Sequence, residues 1–251
     1  MSIPSNTPTE LENHAHAHPR RKLKAKRAGT DVKKHKRVND ILLGPLERPA
    51  LQWLAAHMPA WVNPDILTGI GFFGSVLIGV SYWLTHISPL FFWLASLGFV
   101  INWFGDSLDG TLARYRKIER PKYGFFVDHS VDAISETIVF VGLGLSPYVR
   151  IEIALMALIT YLLMSVLVYL RTYVRGQFVI SYGKLGPTEA RVIAIIANTA
   201  ILFAGNKTLV NTPVGGLTFY DLVGLFVIVL LGGIFLASTL RQIFELGREA
   251  E

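Results

Sequence analysis

From residue 65 onward the chain alternates long apolar runs with short polar breaks. The runs fall at about 65–86, 89–113, 125–146, 149–171, 188–206 and 219–241. Each is near the roughly 20 residues that a helix needs to cross a bilayer core, so the pattern predicts six membrane-spanning helices. The first carries Gly71, Ser75 and Gly79 at four-residue steps, a small-residue stripe that lets a neighbouring helix come close. Residues 39–62 are apolar but too short to span, and Pro45, Pro49 and Pro59 interrupt them. Leu46, Ala50, Leu51, Trp53 and Leu54 recur near helical spacing. They predict an amphipathic helix lying on the membrane surface, with Trp53 and Trp61 at headgroup depth. Residues 1–38 are polar and charged and predict a disordered arm. The expected fold is an all-α membrane protein, a six-transmembrane-helix bundle with an N-terminal interfacial amphipathic helix. Its expected divisions are the arm (1–38), the interfacial helix (39–62) and the six-span domain (63–245).

Composition agrees with a membrane protein. Of the 251 residues, 51% are hydrophobic and 17% charged, against roughly 25% charged in soluble chains. Cysteine is absent, which excludes disulfides, thiolate metal sites and cysteine nucleophiles. The polar first forty residues show no apolar core of a cleavable signal peptide. Ten of the 24 Lys and Arg residues lie between Arg20 and Arg37. Beside membrane spans, such an arm suits anchoring on anionic lipid, worth about 1 kcal/mol per basic residue near the surface. Nucleic-acid binding is the less economical reading and is not expected. Five basic residues fall in 114–124 and four in 171–191, with Arg241 and Arg248 at the end. The alternate loops hold only Arg150 and Lys207. The positive-inside rule then puts both termini and the 114–124 loop in the cytoplasm, with the plasma (inner) membrane as the expected location.

Four aspartates stand out against this background. Asp106 and Asp109 lie three apart at the end of the second span, and Asp128 and Asp132 four apart at the start of the third. Both spacings place a pair on one helical face. A short loop with Pro121 reverses the chain, so the two pairs meet at similar depth. Carboxylates next to hydrocarbon are costly and mark function by default. Four cannot stay ionised together without cations. An all-oxygen set suits Mg²⁺, Mn²⁺ or Ca²⁺. Two such ions form a clamp for phosphoryl transfer. Arg114 follows closely and is suited to phosphate oxygens. Gly110, Ala113 and Gly124 leave side-chain-free space beside the acids. His129 points about 100° around the helix from Asp128 and is set aside. A cation transporter is the rival class, but it predicts acids spread through the membrane depth.

The stretch resembles the signature of the CDP-alcohol phosphotransferase family, D-x2-D-G-x2-A-R, eight or nine residues, then G-x3-D-x3-D. Here Asp106, Asp109, Gly110, Ala113, Arg114, Gly124, Asp128 and Asp132 fill every fixed position, across a nine-residue gap. The resemblance implies a six-span catalytic domain that moves a phospho-alcohol or phosphatidyl group from a CDP-alcohol, such as CDP-diacylglycerol, to an acceptor alcohol. CMP is released, and the product is a phospholipid. It implies that Asp106, Asp109 and Asp128 hold Mg²⁺ or Mn²⁺, with Asp132 serving a second ion and acting as general base. It implies that Gly110, Ala113, Arg114 and Gly124 line the CDP pocket. The alternative within the family is transfer from CDP-choline or CDP-ethanolamine to diacylglycerol, and the acceptor stays open. Arg171 and Arg175, four apart, are candidates for an anionic acceptor headgroup or for simple topology. Asp65 is a candidate for the nucleotide or for a helix cap, and Glu136 for an extension of the site. The expected partners are the CDP-linked donor, the acceptor alcohol and a bilayer with anionic lipids, with a homodimer as the candidate assembly.

Overall fold

Proline and asparagine set the helix starts. In the computed structural model, which describes residues 36–38, 42–175, 177–179, 186–213 and 215–249, Asn63 has extended backbone and its Oδ1 accepts the Ile66 N–H at 2.9 Å. Pro64 takes the next position, where its fixed φ and missing N–H cost nothing. The described helices are α1 (Gly44–His57), α2 (Pro64–Leu84), α3 (Phe91–Arg116), α4 (Pro121–Gly144), α5 (Ile151–Arg175), α6 (Pro187–Ala204) and α7 (Phe219–Glu249). Lys117 ends α3 in the left-handed region (φ 58°), with the Ile118 N–H bonded back to Ala113 O at 3.0 Å.

Five helices, α2, α3, α5, α6 and α7, are long and apolar enough to cross a membrane. The protein is an integral membrane protein of the all-α class. The span expected at 125–146 is α4, which has the length of a span at 24 residues but is not among the five apolar enough to cross. Lys122, Asp128, Asp132 and Glu136 fall within its first sixteen residues, so it is shaped by the site more than by lipid.

α2 and α3 pack so closely that a Cβ on Gly105 would collide with Gly71 N and Leu67 O of α2. A Cβ on Gly142 of α4 would likewise strike Gly79 of α2. Small residues thus bring the two acid-bearing helices against one support. α6 packs on α3, and α7 on α5. α1 lies on α3 through Leu51 and Ala55 against Leu108 and Leu112, and leaves Leu46 and Trp53 exposed. Polar ties fix it there. Glu47 Oε1 accepts from Trp103 Nε1 (2.9 Å) and Thr188 Oγ1 (2.8 Å). Glu189 accepts the Leu43 N–H (2.8 Å) and caps its own helix at Gly186 N (2.9 Å). Arg116 donates to the carbonyls of Met58 (2.9 Å) and Pro59 (2.8 Å), holding the α1–α2 turn.

At the far end of the bundle, Asn198 of α6 is fully buried. Its Oδ1 accepts both the Tyr82 and Tyr220 hydroxyls at 3.0 Å, and its Nδ2 donates to Ser96 Oγ at 3.2 Å. Among the described residues there are also two small sheets: β3 (Thr208–Thr212) with β4 (Gly215–Thr218), antiparallel, and β1 (Lys36–Val38) with β2 (Gln177–Val179), parallel. β1 lies in the stretch whose composition suggests a disordered arm. Residues 1–35, and with them most of the basic arm, lie outside the described residues.

Candidate active site

The turn between α3 and α4 brings the acid pairs together. Asp106, Asp128 and Asp132 each present an oxygen, and these oxygens lie within 4.8 Å of one another. Three carboxylates at that separation, with no nitrogen or sulfur donor among them, fit a hard divalent cation. Asp109, the fourth aspartate of the motif, is not in that cluster. Three residues is about 300° of helical turn, so its side chain leaves Asp106 by about 60° and faces α2. There Thr68 Oγ1 donates to Asp109 Oδ2 at 2.6 Å, and Gly110 N donates to Oδ1. Asp109 is buried but still borders the cavity described below.

Arg191 of α6 completes the cluster, although the sequence suggests only a topological role for it. Its Nη2 donates to Asp106 Oδ2 and its Nε to Asn102 Oδ1 at 2.7 Å. Asn102 in turn donates to Gly71 O (3.0 Å) and Ser75 Oγ (2.9 Å) of α2. Glu136, one turn beyond Asp132, lies near Tyr161 of α5 and borders the same space. So does His129, set aside on its angle from Asp128. Its Nδ1–H donates to Phe125 O (2.7 Å), and its ring stacks on Phe125 at 4.0 Å and meets Tyr169 edge-on at 5.0 Å.

These groups line a cavity of about 1320 Å³. One end holds the four small or basic residues expected around a nucleotide: Gly110, Ala113, Arg114 and Gly124 all line it. No heavy atom lies within 4 Å of where a Gly124 Cβ would stand. The Arg114 guanidinium bonds Thr111 Oγ1 (3.1 Å) and lies over Gly110, where a Cβ would come within 3.2 Å of it. Asp65 is not the cap of α2. Both of its oxygens accept from Arg120 (2.6 and 2.8 Å), and that bond raises the arginine above its ordinary pKa. The other end of the cavity is apolar, with Phe140, Ile153, Ala157, Phe226 and Leu230 among its walls. α7 makes its main helix contact with α5, and this leaves the chamber between α4, α5, α6 and α7.

Arg171 and Arg175 are not among the cavity's lining residues. Arg175 is paired with Glu249 and, at 3.6 Å, with Glu245 of α7. Their spacing on the helix puts them on a face that α7 takes up, so the sequence's headgroup candidates are not brought to the acids.

Fold and site together define a helical membrane protein with a carboxylate cluster on the wall of a largely apolar cavity. The sequence profile of the CDP-alcohol phosphatidyltransferase family matches residues 61–238, and the chain belongs to that family. It is 29% identical over 167 residues to cholinephosphotransferase 1 of Danio rerio, covering 61% of this chain and 41% of that protein. It is 35% identical over 105 residues to cholinephosphotransferase 1 of Xenopus laevis, covering 39% of this chain and 25% of the relative. Phosphatidylinositol phosphate synthase of Cutibacterium acnes is 37% identical over 95 residues, 36% of this chain and 41% of the relative. The chain thus spans less than half the length of each of these relatives.

Proposed function

We propose that the protein transfers a phospho-alcohol group from a CDP-alcohol to an acceptor alcohol, with release of CMP, and that one of the two substrates is a lipid. The observation that carries this is the convergence of Asp106, Asp128 and Asp132 on one cavity that is polar at one end and apolar at the other. The nucleotide belongs at the polar end, where Gly110, Ala113 and Gly124 leave room and Arg114 faces the diphosphate. Asp106, Asp128 and Asp132 would hold a divalent cation, Mg²⁺ or Mn²⁺, with Asp132 also available to a second. When bound, such ions neutralise charge on the transferring phosphoryl oxygens. Asp109 contributes from its place on Thr68. Asp132 takes the proton from the acceptor hydroxyl as its oxygen bonds to the β-phosphorus and the bond from phosphorus to CMP breaks. A base there needs placement within hydrogen-bond reach more than unusual strength.

The order of residues along α4 supports a lipid as the acceptor. Gly124, Asp128, Asp132, Glu136 and Phe140 succeed one another four residues, or about 6 Å, apart. The acids therefore stand between the nucleotide end and the apolar chamber. In-line displacement puts nucleophile and leaving group on opposite sides of phosphorus. An acceptor whose chains fill the chamber, such as diacylglycerol, meets that geometry. The matches to cholinephosphotransferases point the same way. The second reading makes the lipid the donor, as CDP-diacylglycerol, and the match to a phosphatidylinositol phosphate synthase favours it.

The test is CMP release by the purified protein. CDP-choline, CDP-ethanolamine and CDP-diacylglycerol are each combined with diacylglycerol, inositol phosphate, glycerol phosphate or serine. Turnover confined to pairs with diacylglycerol as acceptor is expected. Turnover confined to CDP-diacylglycerol selects the second reading, and no CMP from any pair overturns both.

A further inference from the structure

Asp106 is shared between two claims on its charge. One oxygen, Oδ2, accepts from the Arg191 guanidinium. The side chain also belongs to the three-carboxylate cluster that fits a divalent cation. Both partners are partly shielded from solvent: the Arg191 side chain is 15% exposed and that of Asp106 23%. The guanidinium is held from its other edge as well, through Nε on Asn102, and Asn102 is anchored to Gly71 and Ser75. Arg191 is therefore a fixed positive charge next to a carboxylate that a cation needs. A dication on Asp106 would sit against that charge in poorly screened surroundings, where repulsion between like charges is strong.

We propose that Arg191 is a built-in competitor for the divalent cation at Asp106. Its guanidinium balances the carboxylate while the cation is away, which keeps the acid cluster assembled against its own repulsion. Cation binding loosens the Arg191–Asp106 pair, while Nε keeps its bond to Asn102. The proposal rests on the reading that Asp106, Asp128 and Asp132 hold a divalent cation.

The experiment is Mn²⁺ binding to the purified full-length protein, measured by calorimetry or by loss of the free-ion paramagnetic signal, without nucleotide. Wild type, Arg191→Met and Arg191→Lys are compared, with Asp106→Asn as the control that removes the ligand. Removing the competitor should tighten Mn²⁺ binding on the order of ten-fold, within the range of site-to-site couplings. Lysine keeps the charge but gives up the two-edged grip, and should fall between methionine and wild type. Equal or weaker binding by Arg191→Met makes the arginine a support of the site and overturns the proposal. If Arg191→Met fails to fold, Arg191→Lys decides: tighter than wild type sustains the competition, equal or weaker ends it. Wild type that binds no Mn²⁺ at all, like Asp106→Asn, would defeat the cation reading itself. That is distinguishable from wild-type binding that Arg191→Met fails to tighten.

Discussion

At Asp109 the carboxylate that the motif offers to a cation is instead held by the Thr68 hydroxyl at 2.6 Å. Thr68 orients that acid, and outer partners of this kind typically contribute 10–100-fold. Thr68→Val should therefore slow CMP release by about ten-fold or more while leaving the protein folded and monodisperse; an unchanged rate would remove Asp109 from the machinery. Asp132→Asn should lower turnover by roughly 10²–10⁴-fold, the usual worth of general acid–base help. If it retains full turnover, the base lies elsewhere, and His129 is the next group along the cavity wall to substitute. The eight motif residues were legible in sequence because identity and spacing name them. Arg191 was not, because its partner Asp106 is 85 residues away and only the α3–α6 contact joins them. Asp109's turn toward α2 was hidden for the same reason: spacing shows that two side chains share a face, not which helix that face meets.

Helices are legible in the sequence where the apolar run and the breaker agree. The span expected at 65–86 is α2 at Pro64–Leu84, and that expected at 188–206 is α6 at Pro187–Ala204. α4 starts four residues ahead of the expected 125 because Pro121 takes its first position, where the polar residues that follow mask the helix. The three-residue strands β1 and β2 carry too little pattern to be seen. The Gly71–Ser75–Gly79 stripe does serve packing, but it divides between two partners: Gly71 and Ser75 meet α3 and Gly79 meets α4. Gly105 faces α2 backbone, which cannot yield as a side chain could. Gly105→Val should cost about 1–3 kcal/mol, seen as a lower unfolding temperature and a loss of turnover from the shifted acids. At the other end, Asn198→Leu strands two buried tyrosine hydroxyls, at about 1–3 kcal/mol. It should lower the unfolding temperature with much less effect on the Michaelis constants, since Asn198 lies away from the acids. A variant as stable as wild type would show that the polar hub contributes nothing.

For the whole molecule, the distribution of Lys and Arg gives a directional expectation: the acid-bearing end, the loop of Lys117 and both termini face the cytoplasm. The chain has no cysteine, so single substitutions report sidedness without background. In inside-out vesicles Lys117→Cys should react with an impermeant maleimide and His86→Cys should not; the opposite pattern would invert the topology. The apolar outer residues Leu46 and Trp53 on α1 are suited to the leaflet beside the cavity mouth, which would let a lipid reach the acids without leaving the membrane. The proposed function requires the carboxylate cluster to perform cation-assisted transfer. The most direct check is CMP release by the purified protein from a CDP-alcohol and a lipid acceptor, before and after chelation and on return of Mg²⁺ or Mn²⁺. CMP should form, stop with the chelator, and resume with either ion in wild type but not in Asp128→Asn; CMP release that persists through chelation would contradict the account.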